Sequence, residues 1–193
     1  VKVTCQVSPQ ATAIEMLCEG RVHIALSSHG YRQSCTDAEF RLFMRDPVML
    51  IAPLSHPWTQ REAIEPEELL KANFILREEE SGTFATVRDA LDRIGFFIGD
   101  LNNLLTLGNS EAIALAVQEG LGVGFVSNTV VTGMRQPDIA VIPIRGLTIC
   151  RDIYIGRHVR RPATVAQAAF WEMIQSLQPD SICGPGAGTL VFE

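Results

Sequence analysis

The chain has 193 residues, 47% of them hydrophobic, enough for one large domain or two lobes of roughly 100 residues around real cores. A formal charge of −6 and no basic run longer than Arg160-Arg161 exclude a nucleic-acid surface on this segment. No apolar stretch approaches the roughly 18 to 20 residues of a membrane span, and no basic-then-apolar leader opens the chain.

Val1–Val7 is a β-rich run, followed by Ser8-Pro9 as N-cap and first-turn proline of a helix over Gln10–Glu19 that Gly20 ends. Val22–Leu26 is the next strand. Ala13, Ile14, Leu17 and Cys18 fall on one helical face, which makes this stretch a βαβ unit. Phe40–Phe43 and Val48–Ala52 read as two strands broken by Asp46-Pro47. Glu65-Pro66 opens a helix over Glu67–Lys71, Asn73–Leu76 is a strand, and Thr83–Ile94 is an amphipathic helix with Val87, Leu91 and Ile94 inward. Asn103–Leu107, the helix Glu111–Glu119 and Val123–Val126 form a second βαβ unit that turns at Gly120 and Gly122. Strands over Asp138–Ile144 and Ile149–Ile155, a helix over Val165–Leu177 and a short strand at Thr189–Phe192 complete the pattern, that of an α/β fold with largely parallel sheets.

Ligands of such sheets sit at the carboxyl ends of strands, and Ser27, Ser28, Ser81, Thr83, Ser110 and Ser127 all lie there. At Ser81-Gly82-Thr83 a strand gives way to a helix, so hydroxyls, free N–H groups and the positive dipole end suit a small anion, with the glycine allowing close approach. The plain alternative is an ordinary N-cap. Arg77 either meets Glu78–Glu80 or a ligand's charge, and Ser127 with Asn128 closes another strand end. Ser110 beside Asn109 reads as a helix cap and Phe125 as core. His29 reads as a surface histidine and His56 as structural.

No nucleophile elbow, metal-ligand spacing or dinucleotide fingerprint is present, which leaves no metal, no cofactor and no enzyme to expect. Gly120-Leu-Gly-Val-Gly124 follows a helix and precedes a strand, the wrong order for a dinucleotide fingerprint or a P-loop. The odd, scattered set Cys5, Cys18, Cys35, Cys150 and Cys183 argues against a disulfide framework and fits buried thiols in a reduced cytoplasm.

Cys18-Glu19-Gly20-Arg21-Val22-His23-Ile24-Ala25-Leu26, Ala52-Pro53-Leu54-Ser55-His56-Pro57, Arg77-Glu78 with Ser81-Gly82-Thr83, and Asn109-Ser110-Glu111-Ala112-Ile113 running into Gly120–Ser127 together resemble the effector-binding domain of LysR-type transcriptional regulators. The resemblance implies a two-lobed, type-2 periplasmic-binding-protein-like fold. Lobe 1 would take residues 1–47 and 150–193 and lobe 2 residues 48–149. A small anionic effector would sit between the lobes, with Ser28, Arg77, Ser81, Gly82, Thr83, Ser127 and Asn128 as its contacts. The complete protein would be a cytoplasmic homodimer or tetramer that binds DNA through an N-terminal winged helix-turn-helix absent from this chain, with no membrane partner.

Two positions depart from the pattern: His23 replaces an aspartate and Phe84 an arginine. The first strand and helix of lobe 1 are also missing, so the chain reads as a piece of something longer, with Thr189–Phe192 or a neighbouring chain's strand beside Val1–Val7. Two alternatives stand beside this one: the solute-binding receptor of a transporter, which shares the fold, and a dimerisation module with an empty cleft.

Overall fold

The computed structural model describes residues 2–28, 37–134 and 138–177. They divide into two compact units, the first holding residues 2–28, 37–45 and 152–177 and the second residues 46–134 and 138–151. The chain passes from one unit to the other inside β2 (Ala38–Pro53) and again inside β7 (Cys150–His158).

In the first unit, α1 (Gln10–Cys18) buries Ile14 and Leu17 and ends at Gly20, whose φ of 71° is the left-handed conformation that a helix stop commonly takes. β1 (Ile24–Ser28) pairs antiparallel with β7, from Ile24 opposite Arg157 to Ser28 opposite Ile153. α5 (Val165–Ser176) starts in a capping box of Thr164 and Gln167. It sends Trp171 and Ile174 against Ile155, flanked by Ile24 and Phe43. Cys18 is held in a disulfide, whereas Cys5 is an exposed free thiol.

The second unit is a sheet covered on both faces. β3 (Asn73–Arg77) lies parallel to β4 (Asn102–Leu107) on one side and to β5 (Val123–Ser127) on the other. The second half of β2 pairs antiparallel with β5 and with β6 (Ile139–Val141). Alternation within the strands builds two cores. Phe74, Leu76, Val123 and Phe125 join Val87 and Leu91 of α2 (Gly82–Asp92), and Ile75 and Val126 join Ile113 and Val117 of α3 (Ser110–Gln118). Burial on both faces is why β3 and β5 are almost continuously apolar. α4 (Asn128–Gly133) follows β5 without a linker. Among the described residues, no helix is long and apolar enough to cross a membrane.

Several sequence expectations are corrected. Of the run Val1–Val7, residues 2–7 form no strand, and Val3 and Val7 are 82% and 96% exposed. β-rich composition does not hold a strand that has no ladder partner. Ser8 is not the cap of α1; Pro9 is, without a side-chain bond. Phe40–Phe43 and Val48–Ala52 are one strand of 16 residues that runs through Asp46-Pro47. Ile94 lies beyond the end of α2 and is 36% exposed. Cys150, like Cys18, takes part in a disulfide, contrary to the reading of scattered thiols, because spacing along the chain says little about proximity in space. Thr189–Phe192 falls outside the described residues.

The sheet of the second unit closes at Gly122, where an added Cβ would lie 2.6 Å from the backbone oxygen of Asn73. A backbone oxygen cannot move aside as a side chain can, so Gly122→Ala should lower stability by about 1–3 kcal/mol. Urea unfolding followed by the fluorescence of buried Trp58 measures this; an unchanged midpoint would contradict the close packing.

Candidate functional site

The sequence-predicted residues fall into four settings. In the first unit, the Ser28 Oγ donates to Gln10 Oε1 at 2.5 Å, the Ser28 N–H donates to the same oxygen at 3.0 Å, and Gln10 Nε2 donates back to the Ser28 carbonyl at 2.9 Å. Ser28 therefore ties the end of β1 to the start of α1.

The remaining candidates belong to the second unit. Ser81 is the N-cap of α2: it is buried, and its Oγ accepts from the Thr83 N–H at 3.2 Å. Gly82 and Thr83 form the first turn, where helix geometry leaves N–H groups without intrahelical partners and the dipole is positive. Thr83 is 1% exposed. It lines a pit of about 10 Å³ with Leu76, Arg77, Phe84, Val87, Ile98 and Phe125. That space is about enough for a single water-sized group.

Ser127 is the N-cap of α4 and accepts from the Thr129 N–H at 3.1 Å, while Asn128 begins that helix. The Ser127 Oγ also donates to Asp46 Oδ1 at 2.7 Å. Asp46 is 2% exposed, and its other oxygen takes Arg151 Nε and Nη2, both at 2.7 Å. Arg151 Nη1 then donates to Thr83 Oγ1 at 3.0 Å. The starts of α2 and α4 are thus joined through one buried carboxylate and one guanidinium, a connection sequence reasoning missed. The available signal was a lone aspartate within a strand that is otherwise apolar after it, together with an arginine at the start of another strand.

Arg77 grips Glu78 with two bonds of 2.8 and 2.7 Å and reaches Ser110 Oγ with a third of 3.3 Å. Of the two partners expected for Arg77, the structure shows the acidic bend. The same contact holds the Glu78 carboxyl below its ordinary value, chiefly through the hydrogen bond from Arg77 and against the opposing effect of burial. Asn109, whose Oδ1 accepts from the Ala112 N–H at 2.6 Å, caps α3 in place of Ser110. His56 is structural: its Nδ1 accepts from the Trp58 N–H at 3.3 Å, and burial lowers its pKa. His29 lies outside the described residues.

A broader depression of about 650 Å³ lies in the first unit, lined by His23, Arg157, His158, Arg161, Thr164 and Gln167 among others. None of the predicted site residues lines it. Its two arginines are engaged, Arg157 with Glu39 and over the Trp171 ring, and Arg161 with the carbonyls of Glu19 and Gly20.

With this geometry in view, the family model described as the LysR substrate binding domain matches residues 1–178. An uncharacterized HTH-type transcriptional regulator of Methanocaldococcus jannaschii is 33% identical over 139 residues, covering 70% of this chain and 46% of its own. A probable RuBisCO transcriptional regulator of Trichormus variabilis is 30% identical over 165 residues, with coverages of 83% and 49%. The chain spans about half the length of these relatives. Among solved structures, the CcmR regulatory domain of Synechocystis PCC6803 in complex with 2-PG aligns with a TM-score of 0.78 at 23% identity, covering 91% of this chain and 82% of that one. The effector binding domain of QuiR in complex with shikimate aligns with a TM-score of 0.72 at 15% identity, with coverages of 86% and 77%.

Two outcomes follow from the geometry. Arg151→Ala strands the buried Asp46 carboxylate and should cost about 3–5 kcal/mol, whereas Asp46→Asn with Arg151→Met removes both charges and should cost far less; chemical denaturation of the two variants compares them. The Arg77–Glu78 pair should contribute stability that is fully present above the unfolded carboxylate pKa and is lost as pH falls through the lower folded value. NMR titration of the Glu78 carboxyl should show that value rising toward normal in Arg77→Gln, and an unmoved titration would remove Arg77 as the cause.

Proposed function

The chain belongs to the LysR substrate-binding-domain family and has its α/β, periplasmic-binding-protein-like fold, and from that premise we propose that it senses a small anion at the start of α2. In this reading it is the regulatory module of a LysR-type transcription factor. Occupancy of the module shifts the population of states in which the complete, oligomeric protein acts on DNA in the cytoplasm. The relatives that the chain resembles are transcriptional regulators of about twice its length, which supports assigning DNA binding to another part of such a protein. The match to regulators also leaves no feature favouring a transport receptor, and the role is one of sensing.

The observation that carries the reading is the start of α2. A buried serine caps the helix, a glycine without side chain follows, and Thr83 sits in the first turn with its hydroxyl already held from one side by Arg151. The Thr83 N–H is taken by the Ser81 cap, which leaves the other first-turn N–H groups, the Thr83 hydroxyl and the helix dipole to whatever approaches, a setting that suits a carboxylate or phosphate oxygen. Arg77 and Ser110 stand at the end of β3 and the start of α3 in the same unit. Asn128 opens the neighbouring helix, and we keep it as a secondary contact. Ser127 and Ser28 give their hydrogens to Asp46 and Gln10, so their part in binding is through the backbone they hold, whereas Ser81 caps α2 as an acceptor and keeps its hydrogen for a ligand.

The ligands in the two aligned structures, 2-PG and shikimate, name the first compounds to try, and shikimate is itself a small hydroxylated carboxylate. A thermal-shift panel of these with other organic acids, phosphate esters and sulfate should find at least one that raises the melting temperature. Thr83→Val, which keeps the shape and removes the hydroxyl, should then weaken that compound in calorimetry by about 1.5–3 kcal/mol, the range for a hydrogen bond to a charged group. Full affinity in the variant would reject Thr83 as a contact.

A further inference from the structure

Two buried hydroxyls of the second unit lie at helix starts, Thr83 in the first turn of α2 and Ser127 as the N-cap of α4, and their surroundings leave them different capacities. Ser127 Oγ gives its only hydrogen to Asp46 and accepts from the Thr129 N–H. It has no hydrogen left for a ligand. Thr83 Oγ1 is on the receiving side, accepting from Arg151 Nη1 at 3.0 Å. The guanidinium cannot accept in return, so the Thr83 hydrogen is directed away from Arg151.

We propose that Asp46 and Arg151 are positioning residues for the anion site: Asp46 anchors the guanidinium, and the guanidinium fixes the Thr83 hydroxyl as a donor. This rests on the assignment of the α2 start as the binding site and extends it to the chemistry selected there. The hydrogen of Thr83 is then offered to a hydrogen-bond acceptor, which an ionised carboxylate or phosphate oxygen always is.

Arg151 is paired with Asp46 and Arg77 with Glu78, so each cation meets its own carboxylate before any ligand arrives. Recognition therefore depends on oriented donors and the helix dipole more than on an excess of positive charge. The rigidity of the hydroxyl is what the ion pair supplies. Asp46 is well placed to supply it, because its two oxygens receive Ser127 and Thr129 on one side and two guanidinium nitrogens on the other, and such a carboxylate cannot turn without breaking several bonds.

The experiment is a double-mutant cycle read by titrating inorganic phosphate into the isotopically labelled chain and following the amide signals of Gly82 and Thr83. One arm is Thr83→Val. The other is Asp46→Asn with Arg151→Met, made together so that no buried charge is left alone, with thermal unfolding confirming that each variant is folded. Thr83→Val should weaken phosphate roughly tenfold, and the charge-pair variant several-fold, about what one to two hydrogen-bond equivalents allow. In the Thr83→Val background the charge-pair variant should cause no further loss, since the pair then has no hydroxyl left to orient. Thr83→Ser should recover most of the affinity.

Equal losses from the charge-pair variant in both backgrounds would show that Arg151 acts on the anion itself; this overturns the positioning role and leaves the binding site standing. Unchanged phosphate binding in Thr83→Val overturns the site and this inference together.

Discussion

A carboxylate with 2% of its surface exposed, in the middle of a strand and followed by proline, is the constraint around which the second unit is organised. An unpaired charge in that position would cost several kcal/mol, so Asp46 needs both a counter-charge and filled lone pairs. Arg151 provides the first from β7. Ser127 and Thr129 provide the second from the start of α4. Because Ser127 is itself the cap of α4 and Arg151 continues to Thr83, satisfying one acid also sets the starting points of two helices. Stability and site geometry are thus carried by the same few atoms.

The location of this acid matters as much as its burial. The chain leaves the second unit beyond Asp46 in one direction and beyond Arg151 in the other. Arg45 and Asp152, the next residue on each strand, belong to the first unit and pair with each other at 3.3 Å. The dipeptide Arg-Asp therefore occurs at both passages, and the two pairs run in opposite senses: acid on β2 with base on β7 inside the second unit, and base on β2 with acid on β7 inside the first. Within the second unit, the Val48 N–H donates to the Ile149 carbonyl at 2.9 Å, so β2 and β7 stay joined beyond the buried pair. Arg45–Asp152 is the more exposed pair and contributes little, while the buried Asp46–Arg151 pair carries the energetic weight.

Much of the fold was legible because most of the second unit follows local rules. Gly20 ends a helix, Glu65-Pro66 starts a 3₁₀ turn with a capping box to Glu68, Ser81 caps α2, and the apolar runs of β3 and β5 are buried on both faces. What failed in the reading depended on partners distant in sequence. The stretch 2–7 has every local mark of a strand, but a strand exists only through its neighbour, and these residues are exposed. Asp46-Pro47 has every local mark of a break. Residues 38–53 nevertheless continue as one strand, because the acid is solvated by Arg151 and Ser127, which lie about a hundred and about eighty residues further along the chain. The site divides in the same way. Ser81, Gly82 and Thr83 stood out through helix-start chemistry, whereas Asp46 and Arg151, which are bonded to one of them through the guanidinium, carry no signature until the sheet brings them together.

The two serines first grouped with Thr83 illustrate why a hydroxyl at a strand end is weak evidence when taken alone. Ser81, Ser127 and Thr83 all lie buried near the start of a helix, and a sequence cannot separate them. Their bonds do. Ser81 accepts from the backbone as a cap, Ser127 both caps and donates to Asp46, and Thr83 accepts only from a side chain. A hydroxyl can recognise a ligand through whichever of its three bonding positions the protein leaves open, and a cap consumes an acceptor position while leaving the hydrogen to be directed elsewhere. In the proposed site the difference between the two hydroxyls is one of donor direction, set by whether the nearest ionic group is a carboxylate or a guanidinium. For Ser127 it is the carboxylate and for Thr83 the guanidinium, and the two are opposite ends of one ion pair. A single buried pair therefore gives two similar side chains different hydrogen-bonding positions.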